Sequence, residues 1–209
     1  MLPSQPWLQQ WLPGAEALAA ALAVPAQALA ALALLGGGVG LYYMQRCYRI
    51  KARPFWDHPH TACAFTACAV YLGALTLALV GGMAGWLAGT PQEGLLACCA
   101  LLMGLGLGLE GAGIALHARD LSSSETEAAV SHYVQRTTFG RTWLARNVLL
   151  AVTAVGLLTA PLYLGTSAGL LAVCLLAASA LPIALVGRAL FYVLVIPTTM
   201  PGAFFWKNK

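Results

Sequence analysis

Glu110 and His117 stand seven residues apart in a run of otherwise small and apolar residues, and in an α-helix that spacing puts both on one face, two turns apart. Glu110 is the one carboxylate expected at membrane depth, where even lenient scales charge about 2.5–3.5 kcal/mol for an ionised group. A carboxylate and an imidazole aligned in this way could take up and hand on the protons of a quinol oxidised near the interface, because modest shifts bring both groups to titrate near neutral pH. The structural alternative is a Glu110 that is protonated or hydrogen-bonded between helices, with His117 as an interfacial residue. On the sequence alone both readings stay open.

Arg188 lies late in the last apolar run, where its stem can snorkel to a basic interface. Its rival role is an intramembrane pair with Glu110 or a contact to a quinone oxygen or lipid phosphate. Depth argues against the direct pair, since Glu110 is about 10 Å from its helix end and Arg188 is nearer the headgroups. Arg146, beside Trp143, reads as an aromatic and basic interface anchor. A bis-histidine haem needs two histidines facing each other from inside helices, and only His117 is so placed. His58 and His60 flank Pro59 in a short connector and His132 lies in a long loop, which leaves a weak His58/His60 metal site as the remaining option. The six cysteines lack a Cys-x-x-Cys pair and mostly lie in apolar runs, so they read as small hydrophobes. No nucleophile with its base, phosphate loop or carboxylate pair is present, and we expect no metal in this chain and no catalysis by it alone.

The elements that must carry these residues follow from composition. Of 209 residues, 60% are hydrophobic and only 9% charged, against about 25% charged in a soluble domain. The expected fold class is therefore all-α, a polytopic transmembrane helical bundle. Five runs reach the roughly 20 residues a span requires, at 17–44, 61–87, 94–117, 143–164 and 167–196. Pro25 could shorten the first, and Pro182 should kink the last unless neighbouring helices satisfy the freed carbonyl. We expect an interfacial segment over 1–16 with Trp7 and Trp11 at headgroup depth, one bundle over 17–200 and a tail over 201–209. The polar loop at 118–142 carries a Ser124-x-x-Glu127 capping box, which predicts a short surface helix ending near Gly140.

Sorted by loop, all eleven Lys and Arg residues fall on one side of the membrane and only Glu16 and Glu93 on the other. The positive-inside rule then puts the N-terminus outside and the C-terminus in the cytoplasm. A net charge of +4 from so small a pool is no nucleic-acid footprint, so nucleic acid is not expected as a partner. Gly36/Gly40 and Gly104/Gly108 have the small-xxx-small spacing of close helix contacts.

The first basic connector is the most specific stretch: Tyr48-Arg49-Ile50-Lys51-Ala52-Arg53-Pro54-Phe55-Trp56, then Asp57 to Thr61 and Phe65-Thr66-Ala67. With residues 111–117, the stretch Phe139-Gly140-Arg141-Thr142-Trp143 through Arg146-Asn147, and Gly187-Arg188-Ala189-Leu190-Phe191-Tyr192, it resembles the membrane anchor subunit of dimethyl sulfoxide reductase-type molybdoenzymes over roughly 24 to the end. The resemblance implies a bacterial cytoplasmic (inner) membrane subunit in anaerobic respiration. It would oxidise menaquinol and pass electrons to an iron-sulfur subunit, which feeds a molybdopterin catalytic subunit. Those cofactors would reside in the partner subunits.

Glu110, His117 and Arg188 would then serve the quinol and proton pathway, and Arg49, Arg53, Trp56, Arg136 and Arg141 the docking of partners. Such anchors look like eight-helix proteins, of which the last five helices are recognisable here. The family's N-terminal His and acidic residue have no counterpart in residues 1–23, hence the expectation of a chain truncated at that end. The competing classes are a small non-redox transporter using Glu110 and His117, and a structural or assembly membrane protein.

Overall fold

The computed structural model describes residues 15–90, 92–122 and 127–193. Among these, six α-helices and one short 3₁₀ turn form and no strand does: α1 (Ala15–Tyr48), α2 (Pro59–Leu87), α3 (Glu93–Ser122), α4 (Glu127–Thr137), α5 (Gly140–Leu158), the turn Ala160–Leu162, and α6 (Ser167–Val193). Five of the helices are long and apolar enough to cross a membrane. The chain is an all-helical, multi-pass membrane protein. Two compact units divide it, residues 1–44 and 45–209.

The first unit is the greater part of α1, whose side chains from 23 to 40 are all exposed. A long helix that is apolar all round is what lipid tolerates and water does not. Pro25 lies inside α1 without ending it. Trp7, Trp11, Ser124, Lys207 and Lys209 lie outside the described residues.

The second unit holds the core. Helix α2 packs most extensively on α3, α3 in turn on α5, and α5 on α6. Lipid tails are as apolar as leucine, so what joins these helices is close contact and cross-helix hydrogen bonding. Tyr71, Met103, Leu107, Leu157 and Ile183 are fully buried. Gly106 lets α2 and α3 approach: a Cβ there would stand 3.1 Å from the Tyr71 amide and 3.2 Å from the Ala67 carbonyl oxygen. Gly104 meets Leu158 of α5 in the same way, whereas Gly108 meets nothing within 4 Å. The Thr153 and Ser179 hydroxyls join α5 to α6 at 2.7 Å.

The predicted spans hold with shifted ends. Helix α3 runs five residues past His117, α5 starts three residues before Trp143 and stops at Leu158, and α6 continues through Pro182. The expected polar loop is largely helical, because α3 extends into it and α4 occupies its centre.

Candidate functional site

The connector between α1 and α2 is folded back over one end of the bundle by its own aromatic residues. Trp56 stacks on Phe191 with ring centroids 5.4 Å apart, and its indole N–H donates to the Phe191 carbonyl at 2.9 Å. The Thr61 hydroxyl donates to the Trp56 carbonyl at 2.6 Å. Tyr48 stacks on Phe65 at 5.1 Å and meets the Tyr192 hydroxyl at 3.0 Å. His58 then caps α2: extended at φ −139°, it accepts the His60 amide on Nδ1 at 3.0 Å, while Pro59 takes a helical position where a missing N–H costs nothing. These contacts carry His58 and His60 onto the face of α3 that bears His117.

Beneath the connector, Glu110 of α3 and Arg146 of α5 form a buried ion pair, Arg146 Nη2 donating to Glu110 Oε1, with the two side chains 8% and 6% exposed. Arg146 Nη1 also donates to Asn147 Oδ1 at 3.0 Å. Gly187 of α6 leaves room for the guanidinium, since a Cβ there would stand 2.7 Å from Arg146 Nη2. This corrects one expectation: Arg146 is not an interface anchor. The cation beside Glu110 is Arg146, and the Glu110–Arg188 pair that depth argued against is not formed. Entered at Gly140, α5 brings Arg146 six residues in, about 9 Å along the axis, where its guanidinium meets the Glu110 carboxylate.

Glu110 and His117 do share a face, and both are buried. The His117 ring lies 4.7 Å from that of His58, 4.8 Å from that of His60 and 4.8 Å from that of Phe55. His132 of α4 lines the same cavity, which thus gathers His60, His117 and His132 beside Glu110, Arg146 and Arg188. Burial lowers the pKa of His132, opposed by its Gln135 hydrogen bond and assisted by Arg136. Arg188 is half-buried, its guanidinium 4.1 Å above the Phe65 ring.

Several polar atoms in this cavity are buried without a hydrogen-bond partner: Glu110 Oε2, both nitrogens of His117, His60 Nδ1 and His132 Nε2. An unmatched buried polar atom costs about 1–3 kcal/mol, so these atoms call for water or a bound polar group. The cavity measures about 40 Å³, room for about three waters at roughly 10–15 Å³ each. On the other side of Arg146 a groove of about 420 Å³ opens between α5 (Arg141, Ala145, Leu149) and α6 (Pro182, Ile183, Val186). Arg146 borders both spaces.

Of the residues expected to meet partners, Arg136 and Arg141 are exposed. Arg49 pairs with Asp57 at 3.5 Å, and the Arg53 guanidinium lies 4.5 Å over the Trp56 ring. Trp56 itself is buried, so it holds the connector down and offers no docking surface. Among the described residues, no group of three or more His, Cys, Asp or Glu side chains is arranged to hold a metal ion. Arg146, His60 and His132 are the site residues that sequence reasoning missed. Their signal was present as a demand: one carboxylate inside a bundle needs a cation at its own depth.

A helical membrane subunit with a buried, water-sized ionisable site at one end is the class that this fold and site define. The family model of the DMSO reductase anchor subunit (DmsC) matches residues 18–194, and the chain belongs to that family. It is a membrane anchor subunit of a DMSO reductase-type complex and associates with catalytic and electron-transfer subunits. Neither a curated protein nor a solved structure matches the chain.

Proposed function

We propose that the chain oxidises menaquinol in the bacterial inner membrane beside the Glu110–Arg146 pair and passes the electrons to an iron-sulfur subunit, itself contributing no metal centre. The observation that carries this reading is the position of Arg146. It faces an apolar groove on the outer surface of the bundle and, through Glu110, a histidine-lined cavity within. The groove, about 420 Å³ against about 40 Å³ for the cavity, is the roomier of the two for a quinol ring, whose tail would stay among lipid acyl chains.

Oxidation of a quinol gives the quinone, two protons and two electrons. Arg146 offers charge-assisted donors to a ring oxygen. Glu110 Oε2 and the nitrogens of His117 have acceptor capacity to spare for the protons, and Arg188 shares the cavity wall. Electron tunnelling falls steeply with distance, so the iron-sulfur subunit docks at this same end of the bundle, where exposed Arg136 and Arg141 would face it.

Titration of the purified complex with a quinone analogue tests the site. R146Q removes the charge-assisted donor and should weaken binding about 10- to 100-fold. Equal affinity of the variant and the parent complex would refute the placement.

A further inference from the structure

Protons taken up at Glu110 and His117 must leave a buried cavity, and the neighbourhood of His117 offers a way out. Asp120 follows His117 by three residues on α3, so the two side chains rise from the same face, about 5–6 Å apart at Cβ. His58 touches both: its ring is 4.7 Å from that of His117, and its Nε2 is 3.0 Å from Asp120 Oδ2. Since His58 Nδ1 accepts the His60 amide, the neutral ring carries its proton on Nε2 and donates it to Asp120. The Asp120 side chain is 57% exposed, whereas His117 and Glu110 are buried. Titratable groups thus lead from the ion pair through the cavity to His117, and His58 joins the His117 ring to a solvent-exposed carboxylate at the basic end of the bundle.

We propose that Asp120 is the surface outlet of a proton path that begins at Glu110 and crosses the water-sized cavity by way of His117, with His58 as the positioning residue that holds Asp120 over it. The proposal rests on the quinol reading above. No proton need cross His58, whose two ring nitrogens are both engaged; its part is to fix the carboxylate beside the buried imidazole. Besides Glu110 and His117, the charged and titratable groups lining this cavity are His60, Cys68, Tyr71, His132, Arg146 and Arg188. The arginines make an unaccompanied extra proton in the cavity unfavourable and so favour its departure to an exposed carboxylate.

The test uses the whole complex and compares two electron donors. Quinol-driven turnover needs the proton path, while a reduced viologen dye feeds the catalytic subunit directly. D120N should slow quinol-driven turnover about tenfold or more, leave viologen-driven turnover and quinone-analogue affinity unchanged, and recover with added imidazole buffer as a substitute proton carrier. D120E keeps a carboxylate and should retain most of the rate. Undiminished quinol-driven turnover in D120N, or a loss that imidazole and D120E both fail to repair, would overturn the outlet. E110Q separates the two levels. If E110Q blocks quinol oxidation while D120N does not, only the outlet is wrong; if E110Q too is silent, the quinol reading fails with it.

Discussion

Glu110 and Arg146 are held in low dielectric with one oxygen of the carboxylate committed to the guanidinium and the other unmatched. Breaking such a pair from one side leaves a bare buried charge, at a cost of about 3–5 kcal/mol. We expect R146L to lower the thermal unfolding midpoint in detergent sharply, and the double variant E110Q/R146Q to regain part of the loss because it leaves no isolated ion. His132 gives a pH-dependent counterpart outside the spans. Its pKa is depressed below the ordinary value of 6.5, so the folded state binds its proton less well than the unfolded state does. Its contribution to stability is therefore complete above pH 6.5 and is lost as the pH falls through the depressed folded value. Unfolding midpoints measured between pH 8 and pH 5 should show a decline at the acid end that H132N flattens. At this scale the sequence exposed Glu110 and His117 through helical period alone. It hid Arg146, because a neighbouring tryptophan made the arginine look interfacial.

The helices position these groups by how closely they approach. Gly187 is where α6 gives way to the Arg146 guanidinium, and Gly113 is where α3 gives way to α2, a Cβ there standing 2.7 Å from Cys63 Cβ and 3.2 Å from His60 Nδ1. G187A should push the guanidinium off Glu110 and G113A should push His60 out of the cavity. For both we expect about 1–3 kcal/mol of overpacking cost in thermal unfolding, together with loss of quinone-analogue affinity for G187A. A matching change at Gly108, whose Cβ would meet nothing within 4 Å, should be silent in both measurements. The five spans were legible because long apolar runs leave a chain no other solution in lipid. The small-residue spacing was a poorer guide: Gly104 does meet α5, yet Gly108 touches nothing, since spacing shows that a helix could approach without showing which face has a neighbour. The fold of the 49–58 connector was beyond sequence pattern as well, because it depends on where Trp56 finds Phe191, 135 residues away.

For the whole molecule, the histidines from the connector, α2, α3 and α4 gather at the end that also carries the basic connector residues Arg49, Lys51 and Arg53. Summed charge predicted that end as cytoplasmic, and the proposed scheme, which rests on the position of the site, has electrons and protons depart there. Cysteine labelling from one face of sealed vesicles should therefore modify positions 53 and 93 from opposite sides. The central claim is that quinol is oxidised beside the Glu110–Arg146 pair, and the most direct measurement of it is the ratio of quinol-driven to viologen-driven turnover in the E110Q complex. The account predicts a fall in that ratio of about 100-fold, with viologen-driven turnover intact. A ratio equal to that of the parent complex would contradict it.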